Sequence, residues 1–133
     1  MIKRFFALVP AIMIAICSLA QQNRAGYLLP KPTDIKMGNI NSTFTFRNDT
    51  KVVCKMEDKS IGYAIDELDR IAVEVFGKKL PKSTKIMGAN NVIIRHDNSL
   101  KDEEYRLDIS PENIIIYTKS GAGAFYAMQT IKQ

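Results

Sequence analysis

Apolar residues at Ile61, Ile65, Leu68, Ala72 and Val75 recur every three or four positions, which predicts an amphipathic helix over residues 58–76. Asp66, Asp69, Arg70 and Glu74 fall off that stripe and are expected to face water, with Asp66 and Arg70 paired one turn apart. Asp58 or Ser60 is placed to cap the start. Gly77, backed by Lys78, Lys79 and Pro81, is placed to stop it. A second helix is predicted over 122–133, with Ala124, Ala127, Met128 and Ile131 on one side. No glycine, asparagine or proline follows it, so it reads as the end of a domain separated from a neighbour.

Between and before the helices the period changes to two. Residues 35–40 and 42–47 read as short strands about Gly38-Asn39 and Asn41, the second with alternating Thr43-Phe44-Thr45-Phe46. Asn48-Asp49 marks a turn into a strand at 50–55, and 92–95 is another strand. Residues 105–109 and 114–117, joined by Ser110-Pro111-Glu112-Asn113, make a hairpin. Ahead of these, Tyr27-Leu28-Leu29-Pro30-Lys31-Pro32 reads as an extended lead-in, because each proline biases its predecessor toward β or polyproline geometry.

The first twenty residues follow a different logic. Lys3 and Arg4 precede an uncharged apolar run from Phe5 to Ile16, and Ser18 and Ala20 supply small residues before a cut after Ala20. This is the pattern of a secretory signal peptide, so the chain is expected to be exported to the periplasm, the cell surface or the medium. The run is short for a spanning helix and holds Pro10, and bulky Ile16 disfavours lipid attachment at Cys17. Removing residues 1–20 leaves 113 residues, 21–133, and takes Lys3 and Arg4 away, lowering the formal charge from +5 to +3.

Size and composition narrow the function classes. With 133 residues and 46% hydrophobic content the chain suits one folded domain, and it is far too short for a (β/α)8 barrel, which needs about 250. The remaining positive charge is dispersed, with Lys78-Lys79 its only doublet, so a nucleic-acid interface is not expected. Cys54, the only cysteine after residue 20, follows Val52-Val53 and reads as an inert thiol in an apolar stretch. Two sequons, at Asn41 and Asn48, are the sort that arise by chance.

Candidate chemistry is sparse. His96 beside Asp97, with Ser99 or Ser110 nearby, suggests a triad by residue type; the alternative reading is a surface histidine at a loop mouth. One histidine and scattered cysteines cannot supply a zinc shell, so no metal site is expected. Gly121-Ala122-Gly123 opens a helix after a strand, like a dinucleotide turn, but Tyr126 occupies the third glycine position. These glycines are expected to bring the last helix close to the sheet.

Two segments carry a family resemblance. Residues 104–116, Glu104-Tyr105-Arg106-Leu107-Asp108-Ile109 through Ile114-Ile115-Ile116, resemble the E-x-Y-x-L-x-I-x-x-x-x-I-x-I hairpin of exported β-N-acetylhexosaminidases. Residues 122–133 are similar to the A-G-x-F-Y-G-x-Q-T-L-x-Q-L helix that closes their N-terminal domain. Ala127 stands where glycine is commoner, and the final leucine is missing. The family is glycoside hydrolase family 20, and the resemblance spans residues 27–133.

It implies an α+β two-layer sandwich, a mostly antiparallel sheet with two helices on one face. It also implies an accessory role: a (β/α)8 barrel follows this domain in the family. There an Asp–Glu pair works with the substrate's own acetamido group. No barrel lies within these residues, so no catalytic, cofactor-binding or metal residue carries over. The implied partner is the barrel, with glycan reached only through it, and the chain alone is expected to be inactive. The alternative is a free-standing secreted module that binds carbohydrate or protein. The lack of tryptophan weighs against it, and Phe44, Phe46, Tyr105 and Tyr117 read as sheet residues. Enzymes that remove O-linked N-acetylglucosamine and α-glucuronidases carry a similar leading domain, but the Arg106-Leu107-Asp108-Ile109-Ser110-Pro111 hairpin favours hexosaminidases.

Overall fold

The computed structural model describes residues 28–29, 31–38 and 43–133. The expected signal peptide, the Asn41 sequon and part of the lead-in lie outside the described residues. The chain divides into two compact units, Met1–Ile35 and Lys36–Gln133. The described part of the first unit has no regular secondary structure.

In the second unit five strands and two helices follow in the order β1 (Lys51–Cys54), α1 (Ile61–Phe76), β2 (Lys82–Ser83), β3 (Asn91–His96), β4 (Tyr105–Ile109), β5 (Asn113–Thr118) and α2 (Gly121–Ile131). The strands form one sheet in the order β2-β1-β3-β5-β4. The α+β class with two helices holds, but the sheet is mostly parallel: β1 pairs in parallel with β2 and β3, and β3 with β5. Only the predicted hairpin, β4 with β5, is antiparallel. Val92-Ile93-Ile94 and Ile114-Ile115-Ile116 carry the reason, since unbroken β-branched runs suit inner strands buried on both faces, the setting of parallel pairing.

The core lies between one sheet face and the helices. Val52, Val92, Ile94, Ile114 and Ile116 pack there against Ile61, Ala64, Leu68 and Ala72 of α1 and Ala124, Ala127 and Met128 of α2. The buried stripe of α1 differs from the predicted one. Ala64 and Asp69 are buried while Val75 is exposed, because the packed face is centred between Ile61 and Leu68. Asp69 is thus a correction: its carboxylate is 2% exposed and is held by charge, with Lys82 Nζ at 3.0 Å and Lys79 Nζ at 3.7 Å. Arg70 also pairs differently, donating to Glu67 at 2.7 and 2.9 Å instead of meeting Asp66.

Two predicted strands do not form among the described residues. Residues 35–38 and 43–47 join no sheet, and 39–42 lie outside the described residues. The alternation at 43–47 is nonetheless physical: Phe44 and Phe46 are half-buried against the core, their rings edge-to-face at 5.2 Å, while Thr43 and Thr45 are exposed. One-sided burial of an extended segment gives period two without ladder hydrogen bonds. β2 was missed because two residues, Lys82-Ser83, carry no pattern.

The helix ends are as informative as their faces. Gly77 terminates α1 in the left-handed region at φ 72°, its N–H donating to Val73 O. Ser60 has helical backbone and leaves its own helix uncapped. Its Oγ instead accepts from Gly121 N at 3.1 Å, joining the starts of α1 and α2, while Asp58 accepts from Ser60 N. A Cβ on Gly121 would collide with Ser60, and one on Gly123 with the Glu104 carbonyl and Thr118 Oγ1. The glycines therefore permit the expected close approach, to α1 as well as to the sheet.

Gly121→Ala and Gly123→Ala should each cost about 2–3 kcal/mol, because the obstructing atoms include backbone that cannot step aside. Gly62→Ala, on an exposed helix position with nothing near, should instead stabilise by about 0.5 kcal/mol. Urea unfolding of the three variants checks both signs. A second expectation concerns acid. The Arg70 hydrogen bond, helped by Gln129 and Lys132, lowers the Glu67 carboxyl from its ordinary 4.5 to about 2. A depressed folded-state value contributes stability that is complete above pH 4.5 and is lost as pH falls toward 2. Glu67→Gln should therefore flatten the fall in melting temperature across that interval, as read by thermal melts at stepped pH.

Candidate functional site

Acid–base or nucleophilic catalysis needs its groups within hydrogen-bond reach of one another. His96 ends β3, and its Nε2 meets Asn98 Oδ1 at 2.7 Å. Asp97 turns into its own loop, where Oδ1 accepts from Ser99 N at 3.0 Å and Ser99 Oγ at 2.6 Å. Those two bonds, with lesser help from Arg106 and His96, hold the Asp97 carboxyl below the usual carboxylate range. The pair of residues that suggested a dyad is thus committed to separate turn contacts. Ser110 is occupied in closing the β4–β5 turn, bonded to the backbone of Asn113 in both directions. His96 is exposed at a loop mouth, the alternative reading above.

The other sequence candidates also meet structural neighbours. The space that side chains at Gly121 and Gly123 would need is filled by Ser60, Glu104 and Thr118, so this turn cradles the chain's own backbone. Cys54 is half-buried and packs against the core. Among the described residues no group of three or more His, Cys, Asp or Glu side chains is arranged to hold a metal ion. No helix among them is long and apolar enough to cross a membrane.

What the fold does assemble is a surface. Ser60 bridges to Gly121, and eight or so residues further along Glu67 meets Gln129 at 3.3 Å and Lys132 at 3.7 Å. Corresponding ends are therefore together, and α1 and α2 lie side by side in the same direction. With their inner stripes on the sheet, the outer side of this layer carries Tyr63, 74% exposed, from α1. From α2 it carries Phe125 and Tyr126, whose rings meet edge-to-face at 6.2 Å. By the two bridges Tyr63 lies level with Phe125. Val73 extends the apolar strip along α1, with Asp66 and Arg70 interspersed. Exposed aromatics grouped on a small domain mark an interaction surface. Periodicity alone could have found Tyr63, the one aromatic on the polar side of α1, but its neighbours come from the other helix.

Comparisons with known proteins identify the family. The family model described as glycosyl hydrolase family 20, domain 2, matches residues 26–133. Among solved structures the chain is similar to Streptomyces plicatus N-acetyl-beta-hexosaminidase in complex with Thio-NAglucal, at 21% identity and a TM-score of 0.68. That match covers 84% of this chain and 21% of the other. It is also similar to a Vibrio harveyi family 20 exo beta-N-acetylglucosaminidase. An inactive mutant of that enzyme aligns at 27% identity and a TM-score of 0.63, covering 84% of this chain and 16% of the other. The same enzyme in complex with N-acetylglucosamine aligns at 26% identity and 0.63, covering 83% and 16%. The chain thus spans about a fifth or less of these relatives. Comparison with curated proteins finds no match. With the family match running over 26–133 and the same fold in these relatives, the chain belongs to glycosyl hydrolase family 20, as its domain 2.

Proposed function

We propose that this chain serves as the accessory domain of an exported β-N-acetylhexosaminidase and docks on that enzyme's catalytic barrel through its helical layer. The observation that carries the reading is the match to domain 2 of the family, which covers nearly all of residues 21–133. The exposed Tyr63, Phe125 and Tyr126 supply a surface for the docking. Burying a fully exposed ring is worth roughly 1.5–3 kcal/mol, so Tyr63, 74% exposed, has most of that to gain and Phe125 and Tyr126, 38% and 36% exposed, about a third each. Export rests on the basic start, apolar run and small residues of positions 1–20. In this reading the chain contributes no acid, base or nucleophile. It removes apolar surface of the barrel from water and limits how the barrel's outer helices move.

The test measures release of the aryl group from an aryl β-N-acetylglucosaminide. The chain alone should give no turnover, should melt below about 60 °C, and should associate at high concentration. Joined to a family 20 catalytic barrel lacking its own domain 2, it should raise the barrel's melting temperature and soluble, active yield. Tyr63→Asp with Phe125→Asp should cancel that gain while leaving the barrel's chemistry as it is without the domain. Unaided turnover would contradict the reading, as would a stable monomer that leaves the barrel unchanged.

A further inference from the structure

An open cleft of about 990 Å³ lies over the carboxyl ends of β1 and β3, lined by Val53, Ile93 and Arg95 of one sheet face and by Ile94, Asp58 and Lys119 towards the helices. Four basic side chains line it, Lys55, Lys85, Arg95 and Lys119, against two acidic ones, Glu57 and Asp58. The pairing of these groups is uneven. Lys119 is held by Asp102 at 2.9 Å, and the Asp58 carboxylate is engaged with Ser60 N. Lys55, Lys85 and Arg95 have no carboxylate within 4 Å among the described residues. Three exposed cations thus converge on one concavity, where Glu57 is the one lining carboxylate without a partner among the described residues and no described carboxylate pairs with them.

Sheet register explains how they meet. Cys54 pairs with Ile94 in the parallel ladder, so Lys55 falls beside Arg95, about 5 Å away across the strands. Lys85 arrives from the connection between β2 and β3, which reaches Val53 and Ile93 at the floor. The crevice beyond the carboxyl ends of neighbouring parallel strands is where open sheets of this kind take ligands. Charged walls over an apolar Val53–Ile93 floor suit a sugar ring, which offers C–H faces and, when acidic, an anionic substituent. On the next strand Arg95 pairs in register with Tyr117, and the Arg106 guanidinium covers that ring at 3.9 Å from its centroid. One face of the Tyr117 ring is thereby taken from base stacking, which single-stranded nucleic acid would need.

We infer that this cleft binds acidic glycan, chains carrying carboxylate or sulfate groups, with Lys55, Lys85 and Arg95 as the anion contacts. The glycan class rests on the hexosaminidase reading; the anion site does not. The cleft sits at the strand ends, and Tyr63, Phe125 and Tyr126 are not in its lining, so both surfaces are open to use at once. It would hold the enzyme on an acidic polysaccharide while the barrel works.

The probe is chondroitin sulfate, titrated into the 133-residue chain by calorimetry at low and at physiological salt. Binding should occur and weaken with salt. Arg95→Glu, and more so Lys55→Glu with Arg95→Glu, should weaken it by roughly tenfold or more, as expected when polyanion contacts are reversed. Lys78→Glu, the same charge change at the far end of α1, should alter it by less than about twofold. All these side chains are exposed, and circular dichroism confirms that each variant is folded. No binding, equal loss in Lys78→Glu, or full binding by the double variant would overturn the site. Equal or tighter binding of a single-stranded oligonucleotide would overturn the glycan assignment. Failure in any of these arms leaves the turnover and melting results of the hexosaminidase test unaffected, so the two readings fail separately.

Discussion

Parallel pairing of β1, β3 and β5 governs everything else in this domain. A chain that runs β1, β2, β3 and β5 the same way must return between them three times, and each return has to lie over a face or along an edge. The first return is α1, the second is the connection at 84–90, and the third is the antiparallel edge strand β4. α2 then comes back over the face that α1 already covers. Both helices therefore share one side of the sheet, and their contact through Ser60 and Gly121 settles how closely they lie.

That arrangement separates two surfaces of different character. The helical layer turns aromatic rings outward, while a basic cleft opens at the carboxyl ends of β1 and β3. Neither brings together groups for bond cleavage: His96, Asp97 and Ser99 are each spent on local turn contacts. Exposed aromatic area on the helical layer and charge at the strand ends suit the accessory role proposed for this domain.

Elements with a strong local signature were legible in the residues. The α1 repeat with its glycine stop, the Ser-Pro-Glu-Asn hairpin and the glycines opening α2 all express constraints written within a dozen positions. Strand direction was not legible, because Val92-Ile93-Ile94 looks the same whether its neighbour runs up or down. Asp69 illustrates a second limit. Its burial depends on Lys79 and Lys82 folding back from beyond Gly77, and nothing in the helix pattern announces those partners. The buried polar stitch at the amino end of the sheet is similar. Asn90 takes a left-handed backbone at φ 69° while bonding Thr50 and Asp49 some forty residues away. The basic cleft escaped notice for the same reason. Lys55, Lys85 and Arg95 are scattered in the chain, so a search for basic clusters passes over them, and only the register joins them.

The division of labour between the helical layer and the strand ends is tested most directly by hydrogen–deuterium exchange on this chain, alone and joined to a family 20 catalytic barrel. The account predicts added protection in α1 around Tyr63 and in α2 around Phe125 and Tyr126, with the strand ends at Lys55 and Arg95 unchanged. Protection confined to the strand ends, or none anywhere, would contradict it.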